Sequence, residues 1–282
     1  MSSPSAPSEP RRARAHWWGF GLYLVVLAAH LVTLMVGPAS LVSPTKLAIM
    51  PTLALAVVIA VVPALAPTSH ARTAPTIRRA RRAAALLLLA LAFSWLGDGA
   101  GLFFPFFGAE LPPMLICFGF AHLLYIALFT RGLRDTRPRR AGDTGAGDAA
   151  PARRRLPRWT LVYAVWWIVM IVLLWPHLGA LAIGVAVYGL VLAGTAAAAA
   201  LGSRATALGG LLFLASDTLL ALRLFLPEAD AVIGDVAVMS TYGLGQGLLA
   251  AGTVALLRAR RPHALADSDA ITDAPRETSG AA

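Results

Sequence analysis

Charge is what this 282-residue chain has least of: Asp, Glu, Lys and Arg make up 13% of it, against 58% hydrophobic residues. A soluble globular domain carries about 25% charged residues. Too few are present here to cover a water-facing surface, which excludes a soluble enzyme. Cysteine is nearly absent too. The single Cys117 lies in an apolar run, so neither a disulfide framework nor a Cys-based metal site can be built from this chain. Acidic residues are the scarcer sign, 14 against 24 basic ones, leaving a formal net charge of +10. Such an excess ordinarily points to nucleic acid, so its meaning depends on where the arginines fall.

What the chain does have is long apolar runs. A helix crossing the roughly 30 Å hydrocarbon core takes about 20 apolar residues. Eight runs qualify, at about 17–37, 46–66, 83–104, 111–130, 159–176, 178–201, 205–226 and 232–257. Prolines separate them, among them Pro38, Pro44, Pro63, Pro67, Pro105, Pro112, Pro113, Pro176 and Pro227. Between the fifth and sixth runs, Pro176-His177 is either a tight turn or a kink. Trp17, Trp18, Trp159 and Trp175 fall at run ends, where amphipathic rings suit the interface. The fold class is all-α: a polytopic membrane protein of eight transmembrane helices spanning 17–257, with cytoplasmic tails at 1–16 and 258–282 expected to be disordered.

The arginines settle orientation. Arg11, Arg12 and Arg14 precede the first run, and Arg72, Arg78, Arg79, Arg81 and Arg82 lie between the second and third. Nine more, from Arg131 to Arg158, fill the loop between the fourth and fifth. Arg204 precedes the seventh run, and Arg258, Arg260 and Arg261 follow the eighth. The alternate connections hold Glu110, Glu228 and Asp230 instead. This positive-inside pattern places both termini and the 131–158 loop in the cytoplasm of a multi-pass cell-membrane protein. The basic excess is thus a topology signal, and no nucleic-acid partner is expected. No cleavable signal peptide is expected either, since the first apolar run is too long for one.

Polar residues inside the runs are few: His30, Lys46, Asp98, His122, Asp217, Arg223 and Gln246, with Asp235 near an end. A charge at the bilayer centre costs at least about 2.5–3.5 kcal/mol, so such residues usually line a cavity or pathway. Asp98 and Asp217 are the candidate functional acids. His122 and Gln246 are either functional or links between helices, and His30, with no polar neighbour in sequence, is read as structural. Lys46 and Arg223 are the only cations toward the outer face. Either they snorkel to the interface, or they hold an anionic headgroup phosphate.

Two stretches resemble each other. Phe93-Ser94-Trp95-Leu96-Gly97-Asp98 in the third run is echoed by Phe213-Leu214-Ala215-Ser216-Asp217 in the seventh. Each is followed one run later by a polar residue among glycines, His122 after Gly119 and Gln246 after Gly243 and Gly245. Matching pieces four helices apart suggest two parallel four-helix repeats. At 1.5 Å per residue, Asp98 then lies about 24 Å and Asp217 about 20 Å from the cytoplasmic edge.

These pieces, with Ala121-His122-Leu123-Leu124-Tyr125, Tyr242-Gly243-Leu244-Gly245-Gln246 and Thr45-Lys46, resemble the YhhN-type lysoplasmalogenase family of eight-helix membrane proteins. The resemblance covers the membrane body, about 17–257. It departs in two places: Leu47 stands where a proline is expected after the lysine, and the 131–158 loop is longer than usual. The resemblance implies hydrolysis of the vinyl ether bond of lysoplasmalogens, giving a fatty aldehyde and a glycerophospho-alcohol. The substrate would be a lysophospholipid taken from the surrounding membrane lipids, with no metal or other cofactor.

That chemistry suits the residues. Vinyl ether hydrolysis begins with protonation of the β-carbon to give an oxocarbenium ion, which water attacks. A buried carboxylic acid can donate the proton, and a second, ionised carboxylate can stabilise the cation and activate water. Asp98 and Asp217 are the expected catalytic pair, in either assignment. His122 and Gln246 would orient water or the departing oxygen, supported by Tyr125 and Tyr242, and Lys46 with Arg223 would hold the phosphate. Two rival readings stand beside it: a proton-coupled lipid or small-molecule transporter, which paired intramembrane acids and parallel repeats also suit, and a non-catalytic membrane lipid sensor.

Overall fold

The structure is a computed structural model and describes residues 17–62, 74–133, 156–226, 228–229 and 232–259. The tail 1–16, most of the 131–158 loop and nearly all of 258–282 lie outside the described residues. Eight long helices follow one another: α1 (Trp18–Val36), α2 (Val42–Val61), α3 (Ala74–Asp98), α4 (Leu111–Ala127), α5 (Leu161–Leu178), α6 (Ala182–Ala199), α7 (Arg204–Phe225) and α8 (Asp235–Arg258). Among the described residues there is no strand. Six stretches are long and apolar enough to cross a membrane, one of them the 42-residue stretch Arg158–Ala199 that holds both α5 and α6. Helix α8 is not among the six. Gln246 and the glycines around it dilute its hydropathy, which it tolerates because Tyr242, Gly243, Gly245, Gln246 and Leu249 are buried among other helices.

Three boundaries differ from those expected from hydropathy. Helix α3 begins at Ala74, so Arg78, Arg79, Arg81 and Arg82 are helical rather than a connection. Arginine is a good helix former, and apolar content marks where lipid begins, not where the helix does. At its other end α3 stops on Asp98 instead of running to 104. Gly99 leaves helical geometry, a one-turn helix spans Ala100–Phe103, and a 3₁₀ turn at Pro105–Phe107 closes on left-handed Gly108. Asp98 therefore ends its helix. Pro176, finally, lies inside α5, and the chain turns at Gly179, whose φ of 51° only glycine adopts freely.

Helix starts have local causes. Ser203 and Thr206 form a reciprocal capping box at α7: the Ser203 hydroxyl accepts from Thr206 N–H at 3.2 Å, and Ser203 N–H donates to the Thr206 hydroxyl at 2.7 Å. Pro44 sits in the first turn of α2, where no intrahelical N–H is lost. This leaves Lys46 one turn inside the helix.

Packing then fixes where the polar side chains meet. Helices α7 and α8 touch through glycine: a Cβ on Gly245 would lie 2.8 Å from the Phe213 nitrogen, and one on Gly209 would lie 2.7 Å from that of Leu249. Small residues allow such backbone contact. Around this pair a core forms that includes Tyr23, Ile49, Leu53, Leu87, Tyr125, Phe213 and Leu249. The neighbour pattern has a regularity. Exchanging α1–α4 with α5–α8 carries the α1/α2, α2/α3, α3/α4 and α4/α6 contacts onto α5/α6, α6/α7, α7/α8 and α8/α2, all of which are made. The α8/α1 and α5/α7 contacts have no counterpart among the closely packed pairs.

Candidate active site

At the end of the bundle where α2, α4, α6 and α8 begin, a cavity of about 270 Å³ opens between the helices. Its wall is mostly apolar, with Leu111, Met114 and Phe118 from α4, Leu220 and Leu224 from α7, and Met239 from α8. Four of the expected site residues share that wall: Lys46, Asp98, Asp217 and Tyr242. Lys46 is the only lysine of the chain. Glu110 and Asp235, both exposed, line the cavity on its outer side. An apolar pocket with a few converging polar groups is the usual form of a small-molecule site.

Asp98 is 7% exposed. The Tyr242 hydroxyl donates to it at 2.8 Å. One turn further along each helix the same pair of elements meets again, where Gln246 Nε2 donates to Ser94 Oγ at 3.0 Å. Tyr125 on α4 completes this buried layer, its hydroxyl donating to Gln246 Oε1 at 2.5 Å. Gln246, Ser94 and Tyr125 are thus held behind the acid, bracing α8 against α3 and α4. Trp95 ties α3 to α2, its indole N–H donating to the Leu47 carbonyl at 3.0 Å. That contact keeps the helix of Asp98 beside the helix of Lys46.

Asp217 lies in mid-helix, its side chain 12% exposed. The Tyr188 hydroxyl of α6 donates to one carboxylate oxygen, and the Ser216 hydroxyl lies 3.1 Å from the other. His122 stands beside them, its Nε2 3.3 Å from the Tyr188 oxygen and 3.8 Å from Asp217. With the Tyr188 hydroxyl donating to Asp217, the His122 tautomer with its proton on Nε2 is the one that can hydrogen-bond the phenol oxygen. Its ring packs on Phe213 at 4.8 Å between centroids, and its other nitrogen has no hydrogen-bond partner among the described residues.

The remaining expected residues divide. Arg223 does not line the cavity; its guanidinium pairs with Asp235, which does. His30 is buried as expected of a structural residue, but it has a polar neighbour that sequence distance hid, Thr45 Oγ1 at 2.9 Å from its Nδ1. Tyr188 was not singled out from the sequence, although it lines the cavity and contacts both His122 and Asp217. Its signal was available: tyrosine favours membrane interfaces, and this one sits in the middle of the 178–201 run. Ser94 and Ser216 lie within the two similar stretches, where they read as small residues rather than as hydrogen-bonding ones.

No curated protein and no solved structure matches the chain. The model of the YhhN family does, over residues 43–253, a span that runs from the start of α2 almost to the end of α8 and holds every polar side chain of the cavity. This chain belongs to the YhhN family.

Proposed function

We propose that this protein is a membrane hydrolase that cleaves the vinyl ether bond of lysoplasmalogens (lysoplasmenyl-ethanolamine or -choline), with Asp98 and Asp217 as its acid and base. The reading carries with it eight transmembrane spans, two parallel four-helix halves and cytoplasmic termini. The single observation that supports it most is that two carboxylates from helices more than a hundred residues apart line one largely apolar cavity together with the only lysine. An alkenyl chain fits an apolar wall. A phosphate fits a lysine near the cavity's outer side, as a charge-assisted partner. A carboxyl pair supplies the proton that the β-carbon takes up and the acceptor that water needs when it attacks.

Aldehyde release from lysoplasmenyl-ethanolamine by the purified protein in detergent tests the reading. In D₂O the aldehyde is expected to carry one solvent deuterium on the carbon next to the carbonyl, because that carbon is the one protonated. Asp98→Asn and Asp217→Asn should each lower turnover by roughly 10²–10⁴-fold while leaving the protein folded. Full activity in both variants would sink the carboxylate mechanism, and flux of substrate across vesicles without aldehyde would favour a transporter.

A further inference from the structure

The two carboxylates of the cavity are not held alike, and the difference bears on their roles. Asp217 sits at the end of a directed chain of donors. His122 Nε2 lies 3.3 Å from the Tyr188 oxygen, the Tyr188 hydroxyl donates to one oxygen of Asp217, and Ser216 Oγ lies 3.1 Å from the other. Both hydroxyls donate toward the carboxylate, and with its proton on Nε2 His122 donates to Tyr188 in turn, so that successive donors polarise one another in the direction that favours negative charge at its end. Among the described residues, Asp98 accepts a hydrogen bond from Tyr242 alone. It is also the last residue of the 25-residue helix α3, where the carbonyl end of the helix dipole opposes a negative charge.

We infer that Asp98 is the acid of this site and Asp217 its carboxylate base, and that Tyr188 is the positioning residue that separates the two roles. The inference rests on the vinyl ether reading above. In the first step the Asp98 carboxylic acid gives its proton to the β-carbon. The C=C electron pair forms the new C–H bond and leaves an oxocarbenium ion at the α-carbon. Water then bonds to the α-carbon while Asp217 takes one of its protons, giving a hemiacetal. As the hemiacetal collapses, its C–O bond to glycerol breaks and Asp217 returns that proton to the departing glycerol oxygen. The hemiacetal hydroxyl passes its proton to Asp98 and becomes the aldehyde carbonyl, so both acids end as they began. Tyr188 touches neither substrate carbon in this scheme. It fixes the carboxylate that does the work on water.

Azide separates the two acids, because it attacks an oxocarbenium ion without losing a proton. Asp217→Ala should lose roughly 100-fold or more in substrate consumption and recover several-fold when sodium azide is added. Asp98→Ala should lose as much and recover nothing, since no oxocarbenium ion forms. Tyr188→Phe keeps the aromatic ring and hence the packing; it should lower kcat with KM unchanged and should also respond to azide, which a purely structural defect would not. Rescue of Asp98→Ala, rescue of both alanine variants, or rescue of neither overturns the assignment. An azide-insensitive Tyr188→Phe overturns the role of Tyr188. A wild-type protein that releases no aldehyde would instead overturn the parent reading, so the two failures are distinguishable.

Discussion

Asp98 and Asp217 stand on the third helix of each half of the chain, in two similar stretches, yet their surroundings differ. Asp98 ends its helix, next to Gly99, and is gripped by a tyrosine from α8. Asp217 lies 13 residues into α7, with eight more after it, and is gripped by a tyrosine from α6, with a serine beside it. In both cases a helix of one half supports an acid of the other: α8 reaches Asp98, and α4 brings His122 to Asp217. The unequal donors suit the proposed reaction, in which one acid gives a proton and the other takes one. Two identical carboxylates in one cavity would compete for the same state, and here their neighbours differ.

The comparison breaks most sharply at the acids themselves. Asp98→Asn and Asp217→Asn should each cost roughly 10²–10⁴-fold in aldehyde release, and substrate binding measured by KM should change far less. Next comes the seam that holds the two sides together. Gly245→Ala places a methyl group 2.8 Å from the Phe213 backbone nitrogen, which cannot move aside as a flexible side chain would. A loss of about 1–3 kcal/mol is expected, read as a lower melting temperature in detergent, with activity falling as α7 and α8 separate. Gly184→Ala, with open space around the new methyl group, is the matched control and should leave melting unchanged.

Smaller effects sharpen the comparison. Tyr242→Phe removes the one donor that the described residues give Asp98, a bond to a carboxyl group worth about 1.5–3 kcal/mol if the acceptor is charged and about half that if it is neutral. On the assignment made above, Asp98 is neutral, so Tyr242→Phe should cost less in kcat than Tyr188→Phe. Equal or reversed losses would remove the asymmetry. Lys46→Met should raise KM about tenfold, the equivalent of about 1.4 kcal/mol for one charge-assisted contact to phosphate, with kcat nearly unchanged. The smallest change is expected from Arg223→Ala. Its partner Asp235 is 58% exposed, and exposed ion pairs are worth about 0–1 kcal/mol, so turnover should stay within about fivefold of wild type.

Much of this was open to reading from residue order alone. The apolar runs identify the helices because a membrane span must satisfy its backbone internally and present apolar side chains to lipid. The arginine distribution gives an expected orientation for a different reason, the excess of Lys and Arg in cytoplasmic loops. Asp98, Asp217, Lys46 and Gln246 stand out because each is costly in hydrocarbon, and these are the residues that the fold gathers in or directly behind the cavity. Helix ends were less legible. Hydropathy is blind to an arginine-rich turn that stays helical, and to a helix such as α3 that stops on a carboxylate inside its apolar run.

What the sequence by itself determined is therefore the all-helical class, the apolar runs that become the helices and the small set of polar residues that are costly in lipid. What only the tertiary structure decided is which of them meet. Tyr242 and Asp98 are 144 positions apart, Gln246 and Ser94 152, and Tyr188 and Asp217 29. Contacts at such separations follow from how helices pack against one another, through glycines at α7/α8 and through the crossing of α4 with α6, and no local pattern encodes them. A lone tyrosine in an apolar run is an oddity in sequence. It becomes a partner of Asp217 only once α6 lies beside α7.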